Sequence, residues 1–163
     1  GMRGSTGLGF SSMNRYALSQ QMSQLNVRAI IFQYGVNIVP HEIKDYSYYK
    51  KQLKKELASI QAAHPGVSII VVGPNDMSKN IDGNFVSYPN IPLVRDAMKE
   101  AALESGCCFW DLYAAMGGRN SMSEWVAQGL AQKDYTHFTY KGAKYVGEML
   151  YDALVHRINE TNL

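Results

Sequence analysis

Cysteine is nearly absent from this sequence, and the two that occur, Cys107 and Cys108, are neighbours. A bridge between adjacent residues is strained, and two adjoining thiols lack the spread of a zinc site. Disulfide scaffolds and zinc modules are therefore excluded. The setting, Cys107-Cys108-Phe109-Trp110, is apolar and predicts buried thiols. Long hydrophobic runs are missing too: none nears the ~20 residues that span a bilayer, and no signal peptide is visible. Charge of one sign is concentrated only at Lys50, Lys51, Lys54 and Lys55, on the polar face of one predicted helix. The net charge is +2 with Lys and Arg elsewhere scattered among acids, so no stripe exists to hold nucleic acid or an anionic membrane surface. Internal repeats, linkers and low-complexity segments are likewise absent.

What remains is an ordinary globular balance, 46% hydrophobic and 18% charged over 163 residues, which suits one domain spanning 1–163. Two short runs rich in β-branched residues, 28–34 and 67–72, end in Gly35 and in Gly73-Pro74. Continuous apolar runs of that length fit strands buried on both faces of a parallel sheet. A third, 107–110, ends at Asp111. Between them the period changes. Tyr46, Tyr49, Leu53, Leu57 and Ile60 recur at three- and four-residue steps after Asp45, a potential cap, and Pro65-Gly66 stops the pattern. A second helix is predicted from Pro92 to Gly106. A third carries the stripe Val146, Met149, Leu150, Ala153, Leu154. The order β-α-β-α-β-loop-α predicts a three-layer α/β/α fold with an open parallel sheet.

Active sites of such sheets form beyond the carboxyl ends of the strands. There stand Gly35-Val36-Asn37, Gly73-Pro74-Asn75-Asp76, Asp111 and, before the last helix, Asp134-Tyr135-Thr136-His137. Hydrolysis needs an imidazole base and a carboxylate that fixes its tautomer, and Asp134 and His137 lie one turn apart. A solvated loop is the plain alternative. Asn37 offers an amide donor for a developing oxyanion, or else belongs to a Gly/Asn turn. The entry Arg3-Gly4-Ser5-Thr6-Gly7-Leu8-Gly9-Phe10 is no phosphate loop, because no Gly-Lys-Ser/Thr follows. It is either a bare loop or one that aims the Gly7 N–H at an oxyanion. His41, His64 and His156 read as surface residues. Most of the tyrosines, Tyr46, Tyr48 and Tyr49 among them, read as packing or rim residues, and Glu124 and Trp125 as candidates for a pocket edge.

Taken in order, a Gly-x-x-Gly loop, a strand with Gly-x-Asn, a strand with Gly-Pro and a late Asp-x-x-His resemble the SGNH (GDSL-type) acyl-hydrolases, over residues 3 to 158. The segments 73–77 and 109–113 look most like its bacterial carbohydrate-esterase-like members. The resemblance implies a flavodoxin-like fold and a serine esterase acting on a small acyl ester or acylated carbohydrate, with no metal or cofactor. It maps Gly7 onto the glycine block (Gly4 in an alternative register), Asn37 onto the asparagine block, and Asp134 and His137 onto the final pair.

Two departures stand out. Ile38 follows Asn37 where many members have Asp, and no Gly-Asp-Ser occurs anywhere. In the family that block precedes the glycine block, so the serine and strands 1 and 2 of the sheet order 2-1-3-4-5 would lie upstream of residue 1. Gly1 before Met2 has the look of a cleaved-tag remnant, and a targeting sequence for a bacterial periplasm or for secretion would lie upstream as well. Ser5, Ser11, Ser12, Ser121 and Ser123 are poor substitutes, Ser5 the least so. Ser121 or Asn120 reads as a helix cap. Losing strands 1 and 2 would leave 28–34 as an apolar open edge, expected to pair with a second copy. The alternative to an enzyme is a non-catalytic carbohydrate-binding or interaction module on the same fold.

Overall fold

A computed structural model describes residues 5–161. In chain order it contains a 3-10 turn (Phe10–Ser12), α1 (Arg15–Gln24), β1 (Ala29–Gln33), a second 3-10 turn (Val36–His41), α2 (Ser47–Ala63) and β2 (Ser68–Val72). There follow β3 (Ser78–Ile81), β4 (Asn84–Ser87), α3 (Ile91–Glu104), β5 (Cys108–Trp110), α4 (Leu112–Ala115), α5 (Ser121–Ala127) and α6 (Tyr140–Thr161). These fall into two compact units, one of residues up to Asn75 with Pro89–Leu112, the other of Asp76–Tyr88 with the residues from Tyr113 onward.

In the first unit the three apolar runs pair as parallel strands in the order β1-β2-β5. The register sets Phe32 beside Val71 and Val71 beside Phe109. β1 pairs with β2 alone among the described strands, and its Ile31 is 57% exposed. The α2 stripe buries Leu53, Leu57 and Ile60 completely, each worth about 1.5–3 kcal/mol of burial. Its other face meets α3 through charge: Lys50 Nζ lies 2.7 Å from Glu100 and 2.6 Å from Glu104, and Lys54 Nζ lies 2.8 Å from Glu104. Hydrogen bonds from Lys50 and then Lys54 hold the Glu104 carboxyl down at about 2. These pairs sit at the surface, where salt screens them.

α2 begins one residue later than a cap at Asp45 requires. The flanking residue is Tyr46, and Asp45 accepts instead from the Ser47 amide at 2.8 Å and the Ser47 hydroxyl at 2.9 Å. α3 has Pro92 in its first turn and stops before Gly106, at φ 68°. The thiols divide: Cys107 is buried, but Cys108 is exposed. Successive residues of a strand face opposite sides, so an apolar pair cannot place both thiols on one face.

The second unit holds a hairpin that apolar patterning did not signal. β3 and β4 pair antiparallel around Asp82-Gly83, at φ 50° and 85°, where a two-residue turn needs positive φ at both positions. The buried Asp76 joins this hairpin to α5. One carboxylate oxygen accepts from the Ser87 hydroxyl at 2.6 Å, and the other accepts from the Met122 amide at 2.9 Å. Asp76 therefore caps α5 from a distance; neither Asn120 nor Ser121 does, and Asn120 Oδ1 accepts from the Ser87 amide instead. Burial pushes the Asp76 carboxyl upward against those hydrogen bonds. Trp125 is core, not rim: its indole N–H donates to Met116 O at 3.1 Å and its ring lies against Phe138 and Tyr145. α6 starts against Leu130, whose backbone carbonyl a Cβ on Gly142 would strike. Along the α6 stripe only Val146 is buried, and Ala153 is exposed. Periodicity tells which residues share a face, not what covers it.

Candidate active site

The sequence candidates sit in two places, Gly7 and Asn37 in the first unit, Asp134 and His137 in the second.

In the first, β1 runs out into Tyr34 and Gly35. Gly35 has φ 100°, and a Cβ there would meet Met98 Sδ of α3 at 2.5 Å. Only glycine fits that exit, and it leads at once into the turn carrying Asn37. The exposed Asn37 amide donates to Ser5 O at 2.8 Å. Gly7 has φ 81°, and a Cβ there would press on the Tyr34 ring at 2.8 Å. Its N–H is directed at Ser5 Oγ, 3.3 Å away. Both expected oxyanion donors therefore converge on Ser5, whose carbonyl and hydroxyl oxygens occupy them.

This loop is tied down by residues the motifs did not reveal. The buried Glu56 of α2 accepts from the Ser11 amide at 2.6 Å and the Ser11 hydroxyl at 2.9 Å. The Tyr49 hydroxyl donates to Thr6 O at 3.2 Å, and burial pushes its pKa upward. A signal for Glu56 existed: it falls on the apolar stripe between Leu53 and Ile60, where a lone carboxylate needs a partner. Tyr48, by contrast, is exposed on α2.

In the second, Asp134 and His137 form a pair. His137 Nδ1 lies 2.7 Å from Asp134 Oδ2. Asp134 Oδ1 accepts from the amides of Thr136 and His137, both at 3.0 Å. Slight burial pushes the Asp134 carboxyl up. The hydrogen bonds from the His137 amide, the His137 ring and the Thr136 amide outweigh it and hold the group below the usual carboxylate range. An ionised carboxylate at 2.7 Å requires a ring proton on Nδ1, so in the neutral ring Nε2 carries the lone pair of a 72% exposed side chain. That is the tautomer a general base needs.

The turn between the pair is strained at Tyr135, φ 55°, a conformation that costs a non-glycine residue about 1–3 kcal/mol. Three contacts hold it: Tyr135 N–H donates to Gln132 O at 3.0 Å, Ser78 N–H donates to Tyr135 O at 3.0 Å, and the ring stacks on Phe85. His137 O in turn accepts from the Gln132 amide at 2.8 Å.

The remaining candidates take no part in either cluster. Glu124 accepts from Gln128 Nε2 at 2.7 Å, His64 Nε2 lies 3.0 Å from Val27 O, and His41 and His156 are exposed. Among the described residues no group of three or more His, Cys, Asp or Glu is arranged to hold a metal ion. An open cavity of about 350 Å³ lies by the start of α6, lined by Lys141, Lys144 and Tyr145 among others.

Residues 1–145 match the GDSL-like lipase/acylhydrolase family. No curated protein sequence matches the chain. Among solved structures it resembles that of a peptidoglycan O-acetylesterase, with 26% sequence identity and a TM-score of 0.79. The likeness covers 90% of this chain and 41% of the other, so the chain spans less than half of that relative's length.

Proposed function

The chain belongs to the GDSL-like lipase/acylhydrolase family and shares the SGNH hydrolase fold, an open parallel sheet flanked by helices, and from this we propose that it carries the base and oxyanion residues of a serine ester hydrolase. His137 Nε2 takes the proton of the nucleophilic hydroxyl and later returns it to the leaving alcohol. Asp134 keeps the other ring nitrogen protonated and stabilises the imidazolium. The Asn37 amide and the Gly7 N–H donate to the developing oxyanion once Ser5 releases them. The substrate is an acyl ester, an acetyl group on a carbohydrate, by likeness to the peptidoglycan O-acetylesterase. The nucleophile is a serine outside this sequence, since no Gly-Asp-Ser occurs in it.

The observation that carries this reading is the 2.7 Å contact from His137 Nδ1 to Asp134, with no partner for Nε2 among the described residues. A second reading, a non-catalytic carbohydrate-binding or interaction module, is favoured by the engagement of both Gly7 and Asn37 with Ser5.

The coding sequence upstream of the Met2 codon separates the two. An in-frame Gly-Asp-Ser is expected, together with no labelling of any serine in residues 1–163 by a fluorophosphonate probe. A start codon at Met2 with no such block upstream would favour the module. A fluorophosphonate adduct on Ser5 would move the nucleophile into the chain.

A further inference from the structure

Phe85 is the only aromatic side chain in β3 and β4, whose sequences Ser-Lys-Asn-Ile and Asn-Phe-Val-Ser are otherwise mostly polar. Its ring lies 3.6 Å from that of Tyr135, and the planes differ by 4°. Tyr135 belongs to the turn that joins Asp134 to His137, in a left-handed conformation at φ 55° that side chains rarely adopt. That conformation aims the amides of residues 136 and 137 together at Asp134 Oδ1 and lets the His137 ring fold back onto Oδ2. The same hairpin reaches the turn a second time, through Ser78 N–H donating to Tyr135 O at 3.0 Å. The backbone bond fixes the carbonyl, and the stack fixes the side chain. Together they hold a turn that would otherwise relax to negative φ.

We propose that Phe85 is a positioning residue for the Asp134–His137 pair, acting through the Tyr135 ring. It touches neither member of the pair. Its role is to hold the turn whose geometry fixes the imidazole tautomer and aims Nε2. The inference rests on reading Asp134 and His137 as the acid–base pair, and it extends that reading to the hairpin.

The test is NMR on the full 163-residue chain, following the His137 Nδ1–H resonance and the pH titration of the Asp134 carboxyl. Assignment comes from His137→Gln and Asp134→Asn. In the wild type the Nδ1–H is held in its hydrogen bond, and the Asp134 carboxyl is expected to titrate below the usual carboxylate range. Phe85→Leu keeps apolar bulk but removes the ring plane. It is expected to lose the Nδ1–H resonance and to bring the Asp134 midpoint up into the usual carboxylate range. Phe85→Tyr keeps the ring and is expected to preserve both signals. Tyr135→Leu leaves every hairpin residue unchanged and is expected to reproduce Phe85→Leu, so a misfolded hairpin cannot produce the result unnoticed.

Wild-type signals in Phe85→Leu or in Tyr135→Leu would overturn the proposal. So would equal loss in Phe85→Tyr and Phe85→Leu, which would mean that hairpin packing and not the ring is at work. None of these readouts uses an ester. Failure of the hydrolase reading would show separately, as hydrolysis unaffected by His137→Ala in a polypeptide that joins a Gly-Asp-Ser block to this chain.

Discussion

Asp134 accepts three hydrogen bonds from residues within three positions of itself, two from amides and one from an imidazole. Its folded-state pKa is lowered, so its contribution to stability is fully present above the unfolded value of about 3.8 and is lost as pH falls through the depressed folded value. Wild type should therefore melt higher than Asp134→Asn at neutral pH, with the two converging in the window below about 3.8; parallel curves through that window would contradict the assignment. Because all three donors are local, this pair is legible from the spacing of Asp134 and His137 alone. The cluster around Ser5 in the first unit is only partly so. Gly7 and Asn37 can be named from their order along the chain, but their common partner Ser5, 32 positions before Asn37, is a product of folding. The anchors Glu56 and Tyr49 act on Ser11 and Thr6 from 45 and 43 positions away. No local pattern encodes those pairings.

At the scale of elements, Asp76 shows what patterning leaves out. It follows a strand in a Gly-Pro-Asn-Asp segment that has the look of connecting loop, yet it bonds Ser87 and the first turn of α5 from a buried position. Asp76→Ala would leave the Met122 amide and the Ser87 hydroxyl with no acceptor there. The expected loss is about 2–4 kcal/mol of stability by denaturant unfolding; a loss under about 0.5 kcal/mol would show that water replaces the carboxylate without cost. The hairpin it supports was announced by one local signal, Asp82-Gly83. Its strands lack the apolar alternation that marks a half-buried strand, which is why β3 and β4 escaped a reading based on periodicity. The parallel strands were easier, because each is a continuous apolar run, yet burial on both faces holds at most for β2: β1 buries only Phe32, and β5 is half-buried or exposed. The same runs mark a hazard at β1, whose Ile31 stays 57% exposed at the edge of the described sheet. Light scattering is expected to give twice the 18.2 kDa chain mass and to return to the monomer in Ile31→Lys. A wild-type monomer would mean that the edge is covered.

For the whole molecule, the alternation of strands and helices was legible because each element carries its own period, and the family because four short motifs keep their order over the chain. Substrate and nucleophile were not. Ester specificity depends on the shape of a surface assembled from distant residues, and with no Gly-Asp-Ser in the sequence no motif names the nucleophile. The central claim is that His137 is the base of an ester hydrolase whose serine lies outside residues 1–163. The most direct test is the rate of p-nitrophenyl acetate hydrolysis by a polypeptide that joins the in-frame Gly-Asp-Ser block to this chain, beside its His137→Ala variant. The account predicts clear hydrolysis by the joined polypeptide and a fall of about 10⁶-fold in kcat on removing the imidazole. Equal rates with and without His137 would contradict it.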